Sequence, residues 1–215
     1  TILIMGLVLL FTLSGCKKDS MEDITIYTTT YPVQYITDKL YGEYSTVSSI
    51  YPNEVIKSTD KLLTDYSNAD LFVYNGLSNE KDYAVKMLNK NPSLMIVDAT
   101  MGMETNDNLE ELWLDPSNFL MLCLNIRNGM KEYITNTYLR KQIDVNYENL
   151  KLSISELDAE IKLLVENSND DNTILVSNDL FKYLEKYNLT VISLENNTNL
   201  TEKTIAEAKA KIDSK

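Results

Sequence analysis

The chain has 215 residues, of which 44% are hydrophobic and 24% are charged, and its formal net charge is −12. This acidic balance argues against nucleic acid or an anionic membrane surface as a partner, because phosphate binding needs clustered Lys and Arg, and the only arginines are Arg127 and Arg140. The chain contains no histidine, so it lacks the side chain that most often acts as a general base or a metal ligand.

The N-terminal segment predicts the cellular compartment. Residues 2–13 are almost wholly apolar, a stretch too short to span a bilayer but of the length of a signal-peptide core. The stretch ends in Leu-Ser-Gly-Cys at residues 13–16 and then turns polar, which resembles the bacterial lipobox, whose cysteine receives a diacylglycerol group. We therefore expect residues 1–16 to be a lipoprotein signal peptide, and a lipid on Cys16 to anchor the protein to the extracytoplasmic face of the cell membrane.

The second cysteine is predicted to be structural. Once Cys16 carries a lipid, Cys123 has no partner for an intramolecular disulfide. It lies in the apolar run of residues 119–126, which favours a buried thiol over a reactive one.

Strand patterns alternate with helix patterns in the first half of the chain. The predicted strands cover residues 24–29, 46–51, 70–76 and 94–98, and the predicted helices cover residues 32–41, 59–67 and 81–89. Continuous apolar strands separated by helices of about ten residues indicate parallel βαβ units. We expect an α/β fold whose first lobe extends over residues 24–138.

A long amphipathic helix is predicted over residues 139–167, directly after a helix over 118–138. Its apolar residues recur at steps of three and four, at Ile143, Tyr147, Leu150, Ile154, Leu157, Ile161 and Leu164. Such a helix serves either as a coiled-coil seam for a partner or as a rigid spine between two lobes. The stripe is short for a coiled coil, and new α/β sequence follows at once, which favours the spine.

The strand and helix alternation restarts after a polar break. The predicted strands cover residues 173–176 and 189–194, and the predicted helices cover residues 179–187 and 201–213. Two strands form a sheet too small to bury both of its faces. The predicted architecture is therefore two parallel-sheet βα lobes joined by one long spine helix, and the second lobe, over residues 168–215, is expected to be incomplete.

Five short strings occur in an order that is typical of one protein family. They are Tyr-Pro at residues 31–32, Ala-Asp-Leu-Phe-Val-Tyr-Asn-Gly at 69–76, Val-Asp-Ala at 97–99, Trp-Leu-Asp-Pro at 113–116 and Val-Ser-Asn-Asp-Leu-Phe-Lys-Tyr at 176–183. From residue 24 onward the chain resembles the metal-binding solute receptors of zinc and manganese ABC importers. The resemblance implies a monomeric, extracytoplasmic solute-binding protein that delivers a divalent cation to an ABC permease and its ATPase.

The resemblance also implies where the cation would bind. In that family the ligands are a His in the loop after the second strand, a His just before Trp-Leu-Asp-Pro, a His in the Val-Ser-His-Asp block, and an acidic residue farther on. The matching positions in this chain are near Asn53, on Glu111 and on Asn178, and the fourth position falls beyond Lys215. The three positions within the chain are therefore candidate metal ligands without imidazole.

The donor chemistry leaves three possibilities for the cleft between the lobes. Zinc prefers imidazole and thiolate, whereas carboxylate and amide oxygens suit Mn²⁺, Mg²⁺ or Ca²⁺ with weaker affinity. The cleft therefore holds an oxygen-liganded divalent cation, another small solute, or no ligand. Glu111 has an alternative interpretation as a solvated residue of the acidic run 107–111, and Asn178 has one as the cap of the helix that follows it.

Catalysis has little support in the sequence. The chain has no histidine, no Gly-rich phosphate loop and no Gly-x-Ser-x-Gly elbow, so we expect it not to be an enzyme. The alternative to transport is a ligand-free surface adhesin or accessory interaction protein derived from such a receptor.

Overall fold

A computed structural model of the chain describes residues 24–42, 46–51, 60–105, 109–168 and 172–214. Within these ranges, every helix is too short or too polar to cross a membrane. The predicted signal peptide with Cys16, and the candidate ligand Asn53, lie outside the described residues.

The first lobe is built on a four-stranded parallel sheet. Its strands are β1 (Thr25–Thr28), β2 (Thr46–Ser49), β3 (Leu71–Tyr74) and β4 (Met95–Asp98), in the order β2-β1-β3-β4. The apolar runs predicted as strands thus form the parallel sheet that the alternation indicated. In register, Ile26 of β1 pairs with Val47 and Leu71, and Val73 of β3 pairs with Val97.

Helices cover both faces of this sheet, as a parallel sheet with apolar residues on both sides requires. They are α1 (Tyr31–Tyr41), α2 (Asp60–Tyr66), α3 (Glu80–Lys90), α4 (Glu111–Leu114) and α5 (Pro116–Tyr133). The side chains of β3 alternate between the faces: Leu71 packs in the core formed with α1 and α5, and Phe72 packs in the core formed with α2 and α3. The four-residue helix α4 was not predicted.

The spine helix α6 (Thr137–Glu166) has 30 residues, about 45 Å at 1.5 Å per residue. Its N-cap is Asn136, whose side chain accepts hydrogen bonds from the backbone N–H groups of Tyr138 (2.9 Å) and Leu139 (3.2 Å). The predicted helix boundary at residues 138 and 139 is wrong, because α5 ends at Tyr133 and the cap at Asn136 starts α6 at Thr137.

The two halves of α6 have different surroundings. Its first half buries Ile143 and Tyr147 in the core that α1 and α5 share. In its second half, Leu157 and Leu164 are exposed. The predicted spine is confirmed: α6 packs on the first lobe and leads directly into a second sheet.

The second lobe contains a two-stranded parallel sheet, β5 (Thr173–Val176) and β6 (Thr190–Ser193), with Thr173 opposite Thr190. A 3₁₀ helix (Asp179–Tyr187) connects the strands, and α7 (Glu202–Asp213) follows them. The predicted helix over residues 179–187 has the expected extent but the tighter 3₁₀ geometry. All four residues of β5 remain partly exposed, so this sheet is much less covered than the first.

Candidate functional site

A cleft of about 570 Å³ separates the N-terminal ends of α4 and α5 from the 3₁₀ helix of the second lobe. Both lobes contribute charged side chains to it. The cleft is lined by Glu111, Asp115, Asp179, Lys182, Tyr183, Lys186 and Asn199.

Asp115 enters the cleft because it caps α5. Its Oδ1 accepts a hydrogen bond from the backbone N–H of Ser117 at 2.8 Å, and Pro116 occupies the first helical position, where a missing N–H costs nothing. The same Oδ1 lies 2.6 Å from Nζ of Lys186, which belongs to the second lobe. The Trp-Leu-Asp-Pro string thus places a carboxylate at the boundary between the lobes.

Asp179 is held in place from the opposite side of the cleft. Its backbone N–H donates to Oε2 of Glu195 at 2.6 Å, and its own Oδ2 accepts from Nδ2 of Asn197 at 3.0 Å. Nζ of Lys182, one turn later, lies 3.0 Å from the same Oδ2. Hydrogen bonds from Ser193, and then from Lys182 and Asn197, lower the pKa of Asp179, so its carboxylate remains ionised.

Of the three cleft carboxylates, Glu111 is the one without an ion-pair partner among the described residues. It is partly exposed, and among the described residues its side chain forms no hydrogen bond or ion pair. Burial raises the pKa of Glu111, and the negative charges of Asp115 and Asp179 raise it further, whereas Lys182 opposes them. A cation placed beside Glu111 would counter the repulsion from both aspartates and favour its ionised form.

Asn178 occupies the N-cap position of the 3₁₀ helix, with an extended backbone at φ −151° and ψ 170°. Asn178 therefore occupies the cap position expected from the sequence, but its side chain makes no capping hydrogen bond. Its Oδ1 is shielded from solvent and has no hydrogen-bond partner in the part of the chain that the structure describes. A buried oxygen without a hydrogen-bond partner is uncommon in folded proteins, and binding of an ion is one physical explanation of such an atom.

The structure brings the candidate ligands together only in part. Glu111 lines the cleft, and Asn178 directly precedes the cleft residue Asp179. The third candidate, Asn53, lies outside the described residues. Within the part of the chain that the structure describes, no group of three or more His, Cys, Asp or Glu side chains is arranged to hold a metal ion.

The sequence reasoning missed two lysines that enter the cleft. Asp179, Lys182 and Lys186 follow one another at spacings of three and four, which would place them on one face of the helix predicted from the sequence. In the 3₁₀ helix, where residues three apart align, Asp179 and Lys182 share one side. From that spacing, a charged helix face could have been predicted from the sequence. The partner of Lys186 was not readable, because Asp115 lies 71 residues away in the chain.

Cys123 lies away from the cleft, in the core of the first lobe, where its side chain is fully buried. Burial raises the pKa of its thiol to about 12, so it is neither a reactive nucleophile nor a ready metal ligand at neutral pH. The prediction of a buried, structural thiol is confirmed.

The sequence was compared with models of protein families and with curated proteins. Residues 26–215 match the family model described as "Zinc-uptake complex component A periplasmic". A search of curated proteins found no significant match.

Solved structures similar to this chain include three metal-related proteins from bacteria. The metal-dependent lipoprotein YcdH from Bacillus subtilis is 18% identical, with a TM-score of 0.70 over 89% of this chain and 76% of that one. The Zn(II)-bound ZnuA-like domain of Streptococcus pneumoniae AdcA is 20% identical, with a TM-score of 0.65 over 89% and 75%. The AdcAII protein of Streptococcus pneumoniae is 16% identical, with a TM-score of 0.67 over 89% and 76%. At such identities, the likeness establishes a common fold.

Proposed function

Because the chain belongs to the family of periplasmic zinc-uptake components, we propose that it is the lipid-anchored receptor of a metal-ion ABC importer and binds a divalent cation in its interlobe cleft. The family consists of solute-binding receptors, not enzymes, which work with an ABC permease and its ATPase. The cation is the cargo of such a receptor. The lipid anchor would be attached to Cys16, through the lipobox of residues 13–16.

The observation that carries the proposal is the unpartnered carboxylate of Glu111. Two of the three carboxylates that line the cleft already have an ammonium partner, since Asp115 pairs with Lys186 and Asp179 pairs with Lys182. Glu111 has none among the described residues, although its pKa is raised by burial and by both aspartates. A cation beside this side chain would relieve that unfavourable charge.

The candidate metal ligands of this cleft are oxygen donors. The chain contains no imidazole, and the thiol of Cys123 is buried in the first lobe. The candidate donors are the carboxylate of Glu111 and the amide oxygens of Asn178 and Asn53. The unbonded Oδ1 of Asn178 supports a ligand role for that residue. Such donors suit Mn²⁺ or Ca²⁺ at least as well as Zn²⁺.

The location of the cation is tested by equilibrium dialysis of the metal-stripped full chain against Mn²⁺, with bound metal measured by mass spectrometry. We expect one bound ion per chain, and Glu111→Gln should weaken binding about tenfold or more, since it removes the charge but keeps the shape. The matched control is Glu110→Gln, because Glu110 is exposed, belongs to the same acidic run and does not line the cleft.

Two outcomes would contradict the proposed site. Equal losses in Glu110→Gln and Glu111→Gln would mean that general acidity attracts the cation and that the cleft does not hold it. Unchanged binding in both variants would place the cation elsewhere.

A second candidate function is a ligand-free adhesin or accessory protein. The ion pairs of Lys182 and Lys186 favour it, because they satisfy cleft carboxylates without any cargo. Dialysis separates the two candidates, since the adhesin predicts no bound Mn²⁺, Ca²⁺ or Zn²⁺ at millimolar concentrations.

A further inference from the structure

Lys186 lies where the second lobe meets both α5 and the spine helix α6. Its Nζ is 2.6 Å from Oδ1 of Asp115, at the start of α5, and 3.3 Å from Oδ1 of Asp158, on α6. Oγ of Ser117 lies 3.4 Å from the same nitrogen. The ammonium group of Lys186 thus faces oxygens from the start of α5 and from the spine helix at once.

Tyr187, the next residue, also contacts the spine helix at this junction between the second lobe, α5 and α6. The hydroxyl of Tyr187 donates to Oδ1 of Asp158 at 2.5 Å, and the Tyr187 side chain is almost fully buried. Nζ of Lys186 also lies 4.8 Å from the centroid of the Tyr187 ring, within the range of a cation–π contact. Two adjacent residues of the 3₁₀ helix thus hold the same carboxylate of the spine.

The charge states of these groups favour the junction at neutral pH. The hydrogen bond from Tyr187, and then the contacts of Lys186, lower the pKa of Asp158. Burial disfavours the charged form of Lys186, but its interactions with Asp115 and Tyr187 together outweigh this effect and raise the pKa of the lysine. These shifts favour the charged forms of Lys186 and Asp158, which attract each other.

The other ion pairs of the described residues do not join the lobes in this way. Lys182 pairs with Asp179 on the same 3₁₀ helix, and Asp144 of α6 pairs with Arg127 and Lys131 of α5. Of the ion pairs among the described residues, the two that connect the second lobe to α5 and α6 both use Lys186.

We propose that Lys186 is a built-in interlobe latch, whose ammonium group holds the second lobe against α5 and α6 when the cleft contains no cargo. A cation that contacts carboxylates from different elements holds those elements together. In this junction the cation is the ammonium group of Lys186, which belongs to the chain itself. The arrangement of the lobes is then set by Lys186, and a cargo ion finds the cleft already formed. The latch is independent of the proposed cargo, because it needs no metal.

The test is hydrogen exchange, read by mass spectrometry on the full chain in EDTA, so that cargo plays no part. In Lys186→Gln, the amides of residues 179–187 should exchange about three- to tenfold faster, as expected for the loss of a partly buried, multiply bonded ion pair. Lys182→Gln is the matched control, because it removes the same charge from the same helix but breaks an ion pair within the second lobe. In this variant the amides of residues 179–187 should exchange within about twofold of their rate in the unchanged chain.

Two further variants separate the latch from general destabilisation. Lys186→Arg keeps the positive charge, so the amides of residues 179–187 should exchange nearly as slowly as in the unchanged chain. Asp115→Asn keeps a good N-cap for α5 but removes the partner charge, so it should accelerate exchange like Lys186→Gln, and the two changes combined should add little.

The latch would be refuted by equal exchange in Lys186→Gln and Lys182→Gln, or by fully additive effects of Asp115→Asn and Lys186→Gln. Acceleration that extends equally to α3, on the far face of the first sheet, would also refute it, because the lysine would then stabilise the whole chain and not the junction.

Discussion

At Gly129, α5 lies close against β4 of the first sheet, and replacing this glycine with alanine tests how that helix is positioned. A Cβ at residue 129 would lie 2.5 Å from both methyl carbons of Val97 on β4, whereas carbon atoms in contact are normally about 3.5–4.0 Å apart. Val97 is only 6% exposed and its β-branched side chain is stiff, so it has little room to move.

Two effects of Gly129→Ala oppose each other. Alanine favours a helix by about 1 kcal/mol relative to glycine. Overpacking a filled core costs about 1–3 kcal/mol. Here the new Cβ would lie about 1 Å too close to two methyl groups, so we expect a cost in the upper part of that range. We therefore expect a net destabilisation of about 1–2 kcal/mol, although helix propensity alone predicts a gain.

Urea unfolding followed by circular dichroism measures this change. The double variant Gly129→Ala with Val97→Ala is the control, because it removes the methyl groups that clash; it should be less destabilised than the sum of the two single variants. A stabilised Gly129→Ala variant, or strict additivity in the double variant, would refute the close packing of α5 on β4.

Three other predictions concern the anchor, a buried carboxyl group and the second lobe. Cys16→Ala should release the chain from membranes and abolish incorporation of a labelled fatty acid; unchanged fractionation would refute the lipobox. Burial raises the pKa of Glu80, which favours the protonated form in the fold, so stability should fall as pH rises from the ordinary glutamate pKa of 4.5 through the raised one. Glu80→Gln should flatten that pH dependence, whereas Glu80→Ala should cost about 1–3 kcal/mol, because the N–H of Asn75 loses its acceptor at 3.1 Å. In urea, hydrogen exchange should show the second lobe opening before the first, since β5 is only partly buried; a single transition with coincident probes would contradict this.

Local patterns were sufficient to predict most of the fold. The strands β1 to β4 contain apolar and β-branched residues, such as Thr-Ile-Tyr-Thr at 25–28, and alternate with helices along the chain. The inner strand β3 is buried on both faces, with Leu71 in one core and Phe72 in the other. The stripe of α6 has a strong 3.6-residue period, so its existence was clear from sequence. Its start was misplaced because the cap at Asn136 was overlooked, and α4 was missed because four residues are too few to show a period.

The candidate site was less predictable, because its geometry depends on long-range contacts. Glu111 was found through its place before Trp-Leu-Asp-Pro, and it does line the cleft. The pairing of Lys186 with Asp115 and Asp158 joins three separate elements, and no local pattern in one sequence encodes such a junction. The unbonded oxygen of Asn178 likewise depends on tertiary packing around the start of the 3₁₀ helix.

The most direct test of the central claim is a calorimetric titration of Zn²⁺ into the metal-stripped full chain. With oxygen donors and no imidazole, the dissociation constant should be no tighter than about micromolar, Mn²⁺ and Ca²⁺ should compete on nearly equal terms, and Glu111→Gln should weaken binding. Nanomolar zinc binding that Glu111→Gln leaves unchanged would contradict the claim that this cleft binds its cargo through Glu111 and oxygen ligands.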